Sequence, residues 1–125
     1  MNRTVETGEQ VAREFGCAFY PLDQIQKITG NCLINTTPVG MFPDTDASPV
    51  DAGTLEQFEW VMDTIYNPLE TRLLKNAAQA GRRTISGITM FVHQGAQQIR
   101  IWTGLQPPAE IMKRAVLERL RDETN

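Results

Sequence analysis

Short strand-like runs alternate with helix-length segments along this chain, and that alternation leaves few architectures open to it. The runs are CAFYPL (17–22), NCLINTT (31–37), WVMDTIY (60–66) and RRTIS (82–86). NCLINTT is compact, apolar and rich in branched residues, the composition of a buried strand. The intervening segments carry helix punctuation. Thr4 caps 5–15, Glu6 sits in the favourable first turn, and Gly16 closes the helix. DQIQKI (23–28) reads as a helical turn or two. Asn67-Pro68-Leu69-Glu70 reads as a helix start, with Asn67 as cap, Pro68 at the first helical position and Glu70 reaching back. That helix runs to about Ala80 and ends at Gly81. Gly87 opens a long helix to Thr103, Gly104 ends it, and Pro107 or Pro108 starts a last helix through about 122.

Strands separated by helices of ten or more residues imply βαβ units and a parallel sheet. The expected class is therefore α/β, with parallel strands and flanking helices. A doubly wound domain opens on a strand, whereas this chain opens on a helix cap at Thr4, so Met1-Asn2 reads as a start in the middle of a fold.

Length and charge exclude several functions. A chain of 125 residues suits one domain. A hydrophobic fraction of 41% can supply a core. A net charge of −3 offers no basic patch for nucleic acid. No run approaches the roughly 18 apolar residues of a membrane span. The opening MNRTVETGEQ has no apolar core to act as a secretory signal. A cytoplasmic location is expected, with Cys17 and Cys32 as reduced, buried thiols. Asp44, Asp46 and Asp51 lie in the long loop 38–53 without the oxygen-ligand order of a calcium site, so no metal is expected. A loop of that length often carries function.

Four segments, NRTVET (2–7), INTTPVGM (34–41), DTIYNPLETRLL (63–74) and SGITMFVHQGAQQIRIWTG (86–104), together resemble the shikimate dehydrogenases. Their order and intervals cover most of residues 2–104. The dehydrogenase part of bifunctional dehydroquinate dehydratase–shikimate dehydrogenases shares them. The resemblance implies a two-domain enzyme that interconverts 3-dehydroshikimate and shikimate with NADP(H), here represented over 1–125 by a partial Rossmann-like NADP-binding domain. Its first βαβ unit, its glycine-rich loop and an N-terminal substrate domain lie upstream of the NRT motif in the family. No G-x-G-x-x-G occurs in these residues. The family's catalytic lysine and aspartate also belong to the missing part, so no catalytic residue is carried over.

The resemblance does assign binding roles. Asn2, Arg3 and Thr4 match the NADP-selecting motif, where a guanidinium and nearby donors suit a 2′-phosphate. Thr7 stands where the family often has a basic residue. Read without the family, Thr4 is only a cap and Arg3 is solvated. Thr36 falls at a strand's carboxyl end, where ligand crevices form, and is implied as a cofactor contact; Gly40 shapes the turn. Thr64 and Ile65 are implied to flank the nicotinamide, and Tyr66 to touch substrate. Gly87 and Met90 are implied to face the nicotinamide. Gln94, four residues beyond Met90 on the same helix face, is implied to hydrogen-bond shikimate hydroxyls. His93 falls where the family pattern varies and reads as structural or exposed; Trp60, Phe91, Ile99 and Trp102 read as core or interface.

Two functions from different classes follow. One is the C-terminal NADP-binding part of a shikimate dehydrogenase, inactive by itself. The other is a non-catalytic remnant serving as an assembly module, since a sheet stripped of strands exposes an edge that pairs with another chain. A homo-oligomer is expected on that ground. A different Rossmann-type dehydrogenase is the weakest alternative.

Overall fold

The computed structural model describes Met1 and residues 4–122. The chain forms two compact units, Met1–Gly30 and Asn31–Asn125.

The first unit is built on α1, Val5–Phe15, with Thr4 as its N-cap residue and Gly16 in the left-handed conformation at its end. Gly8 and Ala12, four apart on one face, are its buried residues. The Phe19 ring lies where a side chain on Gly8 would be. A 3₁₀ helix spans Leu22–Lys27 with Ile25 buried. The strand expected over 17–22 does not form; a single bridge at Pro21 is all that stands there. Proline cannot donate to a ladder, and Cys17, Ala18 and Tyr20 are exposed, so no apolar face draws the segment into a sheet.

The second unit holds a three-stranded sheet in the order β1 (Gly30–Asn35), β2 (Phe58–Asp63), β3 (Arg83–Ile85). β2 and β3 run parallel, with Trp60 opposite Arg83, Val61 opposite Thr84 and Met62 opposite Ile85. Thr64 N–H donates to the Asn35 carbonyl at 3.0 Å, so β1 and β2 finish at the same edge of the sheet. The α/β class and the parallel sheet expected from the alternation are what the chain forms. The β1–β2 connection carries a 3₁₀ helix at Ala52–Gln57 after a long turn-rich loop. The β2–β3 crossover is α2, Arg72–Gln79. Then follow α3, Gly87–Thr103, ended by the left-handed Gly104, and α4, Ala109–Asp122. α4 packs on α3, with Met112 against Gly95.

The core lies on β2 and the helices around it. Leu55, Val61 and Ala77 are fully buried, and Phe58, Leu73, Leu74, Ile88 and Val92 nearly so. Truncating one such leucine costs about 2–5 kcal/mol.

Four further expectations need correction. β1 is not buried: it is an edge strand, and only Asn35 is enclosed. A branched apolar run shows strand tendency but not whether both neighbours are present. Cys17 and Cys32 are free and exposed rather than buried. β2 stops at Asp63, leaving Thr64–Tyr66 as non-ladder backbone. The start of α2 also moves. Residues 67–70 form a bend, with a cis peptide before Pro68, and Thr71 is the N-cap, its hydroxyl accepting from Leu74 N–H at 3.4 Å. The same hydroxyl donates to buried Asp63, so a tertiary contact selects the cap over Asn67.

Candidate functional site

The carboxyl edge of the sheet is held by a buried polar network. Asp63 and Thr71 are fully enclosed and Asn35 nearly so. Asp63 Oδ1 accepts from Asn35 Nδ2 at 3.1 Å and from Ile65 N–H at 3.1 Å. Asp63 Oδ2 accepts from the Thr71 hydroxyl at 2.7 Å. Asn35 Oδ1 in turn accepts from Thr37 N–H at 3.0 Å and from its hydroxyl at 2.7 Å. One carboxylate thus fixes the turn after β1, the turn after β2 and the start of α2. A buried charge supplied with this many donors is held tightly, because losing any donor leaves unsatisfied polar atoms in a low dielectric.

The third strand adds α3 to this edge. A Cβ on Gly87 would collide with the Thr64 carbonyl and stand 2.6 Å from the Ile65 carbonyl oxygen. Glycine therefore lets the first turn of α3 close on residues 64–65. Ser86 Oγ donates to the Leu69 carbonyl at 3.1 Å and ties the same helix end to the bend before α2. One turn into α3, Phe91 stacks on Tyr66 with ring centroids 4.3 Å apart and planes at 22°.

These elements line an open cavity of about 840 Å³, within the size range of small-molecule sites. Thr36, Thr37 and Pro38 line it from the turn after β1, Met41 and Phe42 from the loop, and Thr64 to Asn67 from the turn after β2. Phe91 of α3 and Ala115, Val116, Arg119 and Leu120 of α4 complete it. No Asp, Glu, Lys or His is among the described residues lining it, so Arg119 is its one formal charge.

Of the residues singled out in sequence, Thr36, Thr64, Ile65 and Tyr66 meet in this cavity. Gly87 lies directly behind Thr64. Met90 is 45% exposed and Gln94 is exposed, with its Oε1 accepting from Gln98 Nε2 at 3.0 Å; neither lines the cavity. Thr4 stands at the head of α1 in the first unit. Asn2 and Arg3 lie outside the described residues. His93 is exposed. Among the described residues no group of three acidic, histidine or cysteine side chains could hold a metal, and no helix is long and apolar enough to cross a membrane.

Sequence reasoning missed Phe91, Asn67 and Arg119 as lining residues. Phe91 is four residues after Gly87, so the close approach of that glycine already marked the helix face that meets the sheet edge. Ala115, Val116, Arg119 and Leu120 form one helical stripe, legible as a face but not as the wall of a cavity.

Residues 87–117 match the family model described as the shikimate 5'-dehydrogenase C-terminal domain. The shikimate dehydrogenase (NADP(+)) of Methanosarcina mazei is 45% identical over 97% of this chain, which covers 46% of that protein. That of Archaeoglobus fulgidus is 40% identical over 96% of this chain and 47% of its own length. Among solved structures, the Thermus thermophilus shikimate 5-dehydrogenase in complex with NADP(H) and shikimate superposes with a TM-score of 0.83 at 36% identity. The match covers 95% of this chain and 44% of that one. A shikimate dehydrogenase in complex with NADP+ gives 0.80 at 39% identity, covering 95% of this chain and 45% of its own. The chain spans about half the length of the curated relatives it matches.

Proposed function

This chain is a relative of the C-terminal, NADP-binding part of shikimate dehydrogenases, and we propose that residues 1–125 serve as one partial NADP-binding domain of such an enzyme. The complete enzyme would reduce 3-dehydroshikimate to shikimate with NADPH, in aromatic amino acid biosynthesis. The observation that carries this reading is the cavity at the carboxyl edge of the sheet in which Thr36, Thr64 and Tyr66 meet. Its size and largely apolar walls, broken by a few hydroxyls and one amide, fit the nicotinamide end of the cofactor beside a small polyol acid.

In this reading Thr36 and Thr64 hold the nicotinamide and ribose side, with Gly87 and Met90 adjoining. Asn2, Arg3 and Thr4 take the 2′-phosphate. Tyr66 and Gln94 face the substrate. When bound, NADPH supplies the hydride. The chain's own residues orient the ligands and exclude water. Met90 and Gln94 lie on the open side of α3, so their roles call for a substrate domain that closes over that helix.

By itself the chain would turn over little or nothing. The family's acid–base pair supplies proton transfer, worth about 10²–10⁴ in rate, and neither of its members is carried onto these residues. Incubating the purified chain with shikimate and NADP+ should give no reduction above the blank. A clear shikimate-dependent rate would contradict this.

A second reading, an assembly module without catalysis, is favoured by two features of the surface. β1 (GNCLIN) is an edge strand without charge or proline, the devices that usually guard such edges. At the end of α3, Ile101, Trp102 and Leu105 are 71%, 76% and 68% exposed. Sedimentation should then find a homodimer or larger species, and a strictly monomeric profile would sink this reading.

A further inference from the structure

We propose that Phe91 is a positioning residue: its ring holds the Tyr66 side chain in one rotamer and so sets where the Tyr66 hydroxyl meets a ligand. This rests on the reading of the cavity as a ligand site and adds to it a residue with no role there so far. The backbone on both sides of Tyr66 is pinned. Ile65 N–H donates to Asp63 Oδ1 at 3.1 Å, and the Asn67 carbonyl accepts from Phe42 N–H at 3.2 Å. What is left to fix is the side chain, whose first torsion has three staggered wells. Tyr66 is 37% exposed, and among the described residues its hydroxyl has no hydrogen-bond partner to select one of them.

Phe91 makes that selection. The two rings lie 4.3 Å apart at 22°, so one face of the phenol is covered and its swing away from α3 costs the stack. Gly87 puts Phe91 there. Without a Cβ at Gly87 the first turn of α3 closes on the Thr64 carbonyl, and Phe91, four residues on along the same helix face, arrives over Tyr66. A phenol held through its ring, with its hydroxyl unpaired at a cavity wall, is preorganised. It can donate or accept without first losing rotamer freedom.

The plainer explanation is that Phe91 only fills apolar space between α3 and the sheet edge. Leucine separates the two explanations, because it keeps most of that apolar contact and cannot stack. Phe91 is half-buried, so Phe91→Leu leaves the fold intact.

The test is residue-resolved NMR of the labelled chain, first alone, then with NADP+ present throughout and shikimate titrated in. In the unmodified chain the Tyr66 ring protons should be shifted upfield by the neighbouring ring. Phe91→Leu should return them toward the positions of a free tyrosine, and Phe91→Tyr, which restores a ring, should keep the shift. With the competent rotamer reduced to about one molecule in three, Phe91→Leu should weaken shikimate binding about threefold or more. Phe91→Tyr should keep most of the affinity. In a Tyr66→Phe background Phe91→Leu should change the affinity by no more than about 1.5-fold, since the hydroxyl that Phe91 positions is gone. The inference is overturned if the Tyr66 ring protons carry no upfield shift, or if Phe91→Leu binds shikimate as the unmodified chain does. It is overturned equally if the loss is as large in the Tyr66→Phe background. Any of these outcomes with Thr36 and Thr64 still responding leaves the cavity as a ligand site. No response of the unmodified chain to either ligand removes both the inference and the site.

Discussion

Asp63 ties together the turn after β1, the turn after β2 and the start of α2. It accepts three hydrogen bonds, from Asn35, Ile65 and Thr71, with no solvent to replace a lost one. Asp63→Ala should cost about 3 kcal/mol or more, since each stranded donor carries its own desolvation penalty. The check is urea unfolding, where the midpoint should fall with the slope unchanged. Gly87→Ala should cost about 1–3 kcal/mol by forcing α3 away from the Thr64 carbonyl. It should also disturb the Tyr66–Phe91 stack, which the ring-current shifts of Tyr66 report directly. Thr36 was marked by its place at a strand's carboxyl end, a known place for a ligand, whereas Thr64 and the role of Tyr66 came from the family resemblance; all three line the cavity. The Asn35–Asp63–Thr71 network was not legible. Its members are 28 and 8 residues apart, and nothing in their spacing says that they meet.

Helix ends show what local chemistry decides and what tertiary contacts override. Gly16 and Gly104 terminate α1 and α3 at the positions their residue type suggests. The start of α2 does not follow the strong local signal at Asn67-Pro68, because Thr71 is held by Asp63 from another element. Thr71→Ala should therefore lose about 2 kcal/mol, cap and buried bond together. Asn67→Ala should change stability by less than about 0.5 kcal/mol. Thermal or urea unfolding of the pair distinguishes the two caps, and the opposite ranking would restore the sequence-based start. β1 marks the same limit for strands: branched residues favour extended backbone, but burial depends on neighbours that its own sequence does not name. If that open edge drives self-association, Ile34→Lys, at a residue already 52% exposed, should raise the monomer fraction in sedimentation without lowering the melting temperature.

At the scale of the whole molecule, alternation alone gave the α/β class and the parallel sheet, and four ordered motifs gave the relationship to shikimate dehydrogenases. The cavity was beyond reach because its walls come from the turns after β1 and β2, the first turns of α3 and the far end of α4. Only the fold brings those segments together. The role proposed for this edge is that of the cofactor and substrate wall of a dehydrogenase domain. Its most direct test is NMR of the labelled chain with NADP+ and shikimate added together. Thr36, Thr64, Tyr66 and Gly87 should shift as one cluster, with Asn2, Arg3 and Thr4 following the cofactor. If none of these resonances moves at millimolar ligand, the cavity is no such wall, and the function of the chain must be sought in its exposed edge and apolar surface instead.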